Sequence, residues 1–121
     1  MPENDSKIQT QPPVLAVVKL YDLVLVHIAE AARHGENGDV PAQAEAVQEA
    51  MAIFTGLDSC LDMEAGGQVA ANLRSMYQSM NQALTGVVGQ PDGAAICLKL
   101  AAALRQTRNA WAETVGVPAI S

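Results

Sequence analysis

The chain has 121 residues, half of them hydrophobic but only 3% aromatic, and a formal net charge of -6. That length suits one domain rather than two, and a core made from Ala, Leu, Val, Ile and Met leans toward helix. The acidity argues against nucleic acid as a partner, because that affinity rests on Lys and Arg neutralising phosphates, and it disfavours an anionic membrane surface.

Residues 1–12 carry no hydrophobic period and run into Pro12-Pro13, which reads as a short flexible N-terminal tail ahead of a domain spanning 13–121. The opening Met1-Pro2-Glu3-Asn4-Asp5-Ser6 is polar and acidic, unlike the basic-then-apolar start of a secretory signal. From Pro13 the helical period is nearly continuous. It is interrupted by three short Gly-containing stretches, His34–Asp39, Asp62–Gly67 and Gly89–Gly93. Helices are therefore predicted over 13–34, 40–61, 67–88 and 93–114. Helices of that length joined by short turns pack antiparallel with their neighbours, so the expected fold is all-α: an antiparallel up-down-up-down four-helix bundle. Asp39, with Pro41 in the first turn, is placed to cap the second helix, and Asp92 the fourth.

At 100° per residue the first helix puts Val17, Tyr21, Val24 and Ile28 on its core face and Lys19, Asp22, Glu30 and Arg33 in its polar sector. Leu15 and Val26 nevertheless point into that polar sector, and Leu23 lies at its edge. This helix is apolar on more sides than one core needs. The run Val14–Ile28 is too short and too interrupted, by Lys19, Asp22 and His27, to cross a bilayer, which takes about 20 mostly apolar residues. The cytosol is the expected compartment, and no membrane insertion is expected. The second helix directs Val47, Ala50, Met51, Phe54, Leu57 and Leu61 inward, with Ala46, Ile53 and Cys60 recurring beside that stripe.

The third helix is the simplest. Val69, Leu73, Met76, Tyr77, Met80, Leu84 and Val87 share a face, opposite Arg74, Ser75, Gln78, Ser79 and Gln82. The fourth is predicted to bury Ile96, Leu100, Leu104, Thr107 and Trp111. Its outer face carries Ala94, Ala95, Leu98, Ala101, Ala102 and Ala112, a smooth surface on which an amphipathic partner helix can lie. Scattered exposed hydrophobes are ordinary, and an Ala-rich face also follows from helix propensity alone.

No constellation for catalysis is found. Gly66-Gly67 is a turn signal rather than a phosphate loop, which needs more glycines. His27 and His34 lie two helical turns apart, about 10 Å along the axis, too far to share a metal without added ligands. A phosphotransfer role for His27 is disfavoured by Glu30, whose charge would repel a phosphoryl group. Glu45 and Glu49 fall on an outer face, Asp62 and Glu64 sit in a loop without histidine, and no Glu-x-x-His motif occurs. Cys60 and Cys97 make no metal motif and are expected to be reduced. The reading is a non-enzyme with no cofactor and no metal.

Several short motifs occur in a familiar order: Leu20-Tyr21-Asp22 after Pro13, then Gly38-Asp39, Leu61-Asp62-Met63-Glu64, Gly66-Gly67, Ala70-x-Asn72-Leu73, Met76-Tyr77-x-x-Met80 and Arg108-x-x-Trp111. In order and spacing they resemble the FliS family of flagellar secretion chaperones, over roughly 100 residues from Pro13 to Val115. No single motif is diagnostic. The resemblance implies an antiparallel four-helix bundle and a cytosolic chaperone that holds the disordered C-terminal segment of flagellin, preventing premature polymerisation before export. Other partners it leaves open are the flagellar export gate and a second copy of the chain. The candidate client-contact residues are Leu20, Leu23, Ile53, Cys60, Leu98 and Ala101, each of which also suits internal packing at the flank of a bundle.

The chain departs from the family pattern in three places. The longer N-terminal segment with its tyrosine is reduced to Lys7-Ile8-Gln9-Thr10-Gln11, where Ile8 is a weak apolar substitute. Leu23-Val24 stands where Gly-Ala is common, so Leu23 is expected to reshape a client groove. Ile53-Phe54-Thr55-Gly56-Leu57 lacks the charges common there. A dimerisation or adaptor module with no flagellin client is the alternative from a different class.

Overall fold

A computed structural model describes residues 14–121, and the expected tail 1–12, Pro13 and the Ile8 substitute lie outside them. The described residues form four helices: α1 (Val14–Glu36), α2 (Val40–Ser59), α3 (Met63–Thr85) and α4 (Gly93–Glu113). They make an antiparallel up-down bundle, and its packing is uneven. Helix α1 packs along both α2 and α4, and α2 packs on α3, whereas α3 and α4 scarcely touch.

The turns follow from local chemistry. Helix α1 ends with Arg33 and His34 in its last turn, where positive charge suits the carbonyl end of a helix dipole. Gly38 then takes a left-handed φ of 73°. The Asp39 amide donates back to the His34 carbonyl at 2.9 Å and the Gly38 amide to Gly35 at 3.2 Å, closing the helix with a Schellman pair. Asp39 caps α2 as expected, its carboxylate accepting from the Ala42 amide at 3.2 Å, with Pro41 in the first turn. Asp92 precedes α4 but makes no side-chain cap bond.

Helix α3 begins earlier than its hydrophobic period indicates. Asp62, expected in a loop, caps it by accepting from the amides of Glu64 and Ala65 at 3.1 and 3.0 Å. Helical geometry then breaks at Gly67 (φ 52°, ψ -129°), a conformation open in practice to glycine alone. Beyond the kink Ala70 is buried, whereas Val69, expected in the core, keeps the phase of Leu73 and Tyr77 and is nevertheless 55% exposed.

Helix α4 also differs from expectation. Its buried positions are Cys97, Ala101, Leu104, Arg108 and Ala112, whereas Ile96, Leu100, Thr107 and Trp111 are half-buried. Of the expected outer face, Ala95, Leu98 and Ala102 are exposed and Ala94 is half-buried, but Ala101 and Ala112 are buried. They let α4 approach α1 closely, and the larger side chains turn toward the gap that α3 leaves. Thr107 reaches across it to the Met76 sulfur at 3.4 Å. In α1 the buried residue near the start is Val18, and Val17 is half-buried.

The core runs from Tyr21, Val24 and Ile28 of α1 through Val47, Ala50 and Phe54 of α2 to Tyr77 and Leu84 of α3 and Leu104 of α4. One end is locked by a polar group that no hydrophobic period can reveal. Gln43 of α2 is almost wholly buried, and its side-chain oxygen accepts from the Gly89 amide at 3.0 Å in the α3–α4 turn. A Cβ on Gly35 would come within 2.4 Å of the Gln43 amide nitrogen, and one on Gly93 within 2.4 Å of the Val87 carbonyl oxygen. Chain segments from all four helices thus meet closely there.

Candidate functional site

The other end of the bundle is open. The start of α1, the end of α2, the start of α3 and the end of α4 surround a cleft of about 520 Å³. Its walls carry Leu20, Leu61, Val69, Leu73 and Trp111, and the Tyr21 and Tyr77 rings are at its base. The cleft exists because α3 and α4 do not close on each other at this end. The Gly67 kink carries the first turn of α3 along its rim, with Ala65 and Gly66 lining it. A volume in the range of ligand pockets, with mainly apolar walls, suits side chains of a docked peptide.

The base is rigid. The Tyr21 and Tyr77 hydroxyl oxygens are 2.5 Å apart and hydrogen-bonded. Their ring centroids are 6.3 Å apart at 57°, and Phe54 lies 5.8 Å from Tyr77. Burial pushes the Tyr21 phenol far above its usual range, and the hydrogen bond to Tyr77 pushes it further. Burial also raises Tyr77. Nearby Asp58 adds to that rise, and the Tyr21 hydrogen bond opposes it. Both phenols therefore stay neutral across the physiological range. Asp58 itself pairs with Arg74 across α2 and α3 at 3.1 Å.

A second opening of about 440 Å³ lies between α1 and α4. Val26 and Leu98 face it, Ala101 lies on its floor, and Asp22 and Arg105 are on its margin. Val26 is 52% exposed and Leu98 58%. Arg108, 4% exposed, anchors one end of this groove. Its Nε donates to Asp22 at 2.7 Å and its Nη2 donates to the second oxygen of that carboxylate at 3.3 Å, a two-pronged pairing that ties α4 to α1.

The six residues expected at a partner surface do not converge on one place. Leu20 and Cys60 line the end cleft, and Leu98 and Ala101 line the α1/α4 groove. Ala101 is buried, so it offers only its methyl group to the floor. Leu23 is exposed and lines neither opening, and Ile53 is half-buried against the core. The excess apolar surface of the first helix is present as expected, since Leu15, Leu23 and Val26 are all exposed, as is Leu20. Val26, which periodicity left without a role, faces Leu98 across the groove.

Sequence reasoning missed Val69 and Trp111 as cleft walls because a uniform helical phase placed both in the core. It placed Asp22 in the polar sector of the first helix without the Arg108 partner. The signal for that partner was the lone arginine on the inward side of the fourth helix.

The arrangement offers surface rather than reaction chemistry. His27 faces two carboxylates, Glu30 at 3.2 Å and Glu49 at 3.0 Å, a setting hostile to a phosphoryl group. Cys97 is buried, and burial pushes its thiol up, away from nucleophilic behaviour. Cys60 is a free thiol exposed at the cleft. Among the described residues no group of three or more His, Cys, Asp or Glu side chains is placed to hold a metal, and no helix is long and apolar enough to cross a membrane.

Comparison with known proteins gives this surface a context. A family model described as flagellar protein FliS matches residues 2–117. A protein named flagellar secretion chaperone FliS from Vibrio cholerae serotype O1 is 30% identical over 81 residues, covering 67% of this chain and 60% of that protein. A protein of the same name from Salmonella typhimurium is 34% identical over 77 residues, covering 63% of this chain and 57% of that one. The chain thus spans less than two thirds of the length of these curated relatives.

Proposed function

The chain belongs to the FliS family, and from that premise we propose that it is a flagellar secretion chaperone whose end cleft receives the C-terminal segment of flagellin. The observation that carries this reading is the open cleft between α3 and α4, with Val69 and Leu20 exposed on its walls above the buried Tyr21–Tyr77 base. Monomeric proteins rarely leave a contiguous apolar recess unfilled without a use for it.

The physics suits a client that is unfolded when alone. An amphipathic segment gains by placing apolar residues at i, i+3 or i+4, and i+7 into such a recess, and the cost of ordering it reduces the net affinity. Masking those residues removes the surfaces by which the client would associate with its own kind. The chaperone must meanwhile resist self-association, and a net charge of -6 helps keep its copies apart.

Trp111 is the chain's single tryptophan and lines the cleft, so its emission reports occupancy directly. Titrating the full chain with a synthetic flagellin C-terminal peptide is expected to shift that emission to the blue, saturably and with one-to-one stoichiometry. No shift and no heat of binding at peptide concentrations up to about 100 μM, where even affinities near 8 kcal/mol would saturate, would remove the reading. Sedimentation of the same samples addresses the dimerisation alternative. A concentration-dependent dimer indifferent to the peptide favours that module instead.

A further inference from the structure

The α1/α4 groove already holds a peptide at one end, and it belongs to this chain. After α4, Gly116 turns left-handed at φ 73°. The Val117 amide donates to the Ala112 carbonyl at 2.9 Å and the Gly116 amide to Glu113 at 3.3 Å, a Schellman closure that sends the chain back along α4. Two consecutive side chains then grip the returning backbone. The Arg108 Nη1 donates to the Pro118 carbonyl at 2.8 Å. The Asn109 side-chain oxygen accepts from the Ile120 amide at 3.0 Å, and its nitrogen donates to the Ile120 carbonyl at 2.8 Å. A further bond, Arg108 Nη1 to the Asn109 oxygen at 3.0 Å, fixes the asparagine amide in this orientation.

Asn109 thus reads both main-chain groups of one residue, as a neighbouring β-strand would. Recognition of that kind is indifferent to side-chain identity. The Ile120 side chain meanwhile borders the same groove as Val26 and Leu98.

We propose that Pro118–Ile120 is a displaceable strap on the α1/α4 groove, and that the incoming client competes with it for the Asn109 latch and the Ile120 position. This extends the chaperone reading from the end cleft to a second surface along which the same client runs, and it rests on that reading. The strap is poised rather than locked. Ile120 is itself 40% exposed, and the groove beyond it stays open at Leu98, giving a client a foothold before the strap leaves. The latch bonds run from a half-buried asparagine to an exposed Ile120 backbone, where water can replace them. Helix α4 does not depend on the strap, since Arg108 keeps its Asp22 pairing when Pro118 departs.

The test uses the full chain, the flagellin C-terminal peptide, and two variants that change the latch or the strap and leave Val26, Leu98 and Ala101 in place. Asn109→Ala removes the latch at a helical position where alanine is well tolerated, and Ile120→Ser removes the apolar anchor. In the free wild-type chain the Ile120 amide is expected to exchange more slowly than in either variant. Saturation with peptide is expected to abolish that protection. Each variant is expected to bind the peptide about fivefold more tightly, the gain when roughly four-fifths of the resting molecules are strapped. Unchanged or weaker binding by both variants, with the Ile120 amide still protected in the complex, overturns the strap and leaves the chaperone reading standing. Failure of wild type and both variants to bind the peptide overturns the chaperone reading, and the client-displaced strap with it.

Discussion

Val69→Asp is the sharpest test of the end cleft. Val69 is 55% exposed on the cleft wall, so a docked client covers slightly more than half of its side chain. Full burial of a valine side chain is worth about 1.5 kcal/mol, and the covered share is therefore about 0.8 kcal/mol, or fourfold in affinity. The aspartate adds the cost of bringing an unpaired carboxylate against the client's apolar face, about 1–3 kcal/mol. Together these predict binding weakened by about 20- to 600-fold. The fold should scarcely notice. The buried remainder of the valine is worth about 0.7 kcal/mol, and a carboxylate in the first turn after the Gly67 kink gains back about 0.3–1 kcal/mol from the helix dipole. Calorimetric titration with the peptide gives the affinity, and thermal unfolding gives the stability. Val40→Asp is the matched control, because Val40 is 44% exposed but begins α2 at the opposite end of the bundle. Val69→Asp binding within twofold of wild type, with the control equally silent, would refute the assignment of the cleft.

Further outcomes follow from other sites. Leu98→Asp should weaken peptide binding by more than about tenfold, or 1.4 kcal/mol, while the melting temperature moves by only a few degrees, because Leu98 is 58% exposed in the free chain. Tyr21→Phe strands the buried Tyr77 hydroxyl and should cost about 1–3 kcal/mol in denaturant unfolding, whereas Tyr21→Phe with Tyr77→Phe should recover part of that loss. The two phenols have folded-state pKa values raised above the usual 10.0, so the stability they confer is intact below pH 10 and declines above it as the unfolded chain ionises. The double variant should show a shallower alkaline decline in urea midpoint. Gly93→Ala forces a Cβ to within 2.4 Å of the Val87 carbonyl oxygen and should cost about 1–3 kcal/mol, read as a lower melting temperature.

The bundle and its turns were legible because each carries a local signal: the 3.6-residue period, the Asp39–Pro41 start, the Gly38 stop. The overexposed side of the first helix was legible too, since Leu15, Leu23 and Val26 had no core to face. The two openings were only half legible, for two physical reasons. A period is counted along one helix, so it cannot show that the bundle stands open where Val69 turns inward, which leaves that side chain on a cleft wall. Nor can it tell which helices approach each other. Ala101 and Ala112 look like outer positions until α4 is seen to lie tightly on α1, with its larger residues left to the gap beside α3. Polar contacts distant in sequence, such as Asp22 with Arg108 or Gln43 with Gly89, have no one-dimensional signature at all.

Gln43 also determines how the molecule can respond to a load. With the turns at one end held by a buried amide and close glycine contacts, and with α3 and α4 barely touching along their length, the bundle is built like a spring clip. The fixed end holds the register of all four helices, so bending of α3 falls on the open end and leaves the topology unchanged. Amide exchange should accordingly grade along the molecule, slowest around Gln43 and fastest at the first turn of α3.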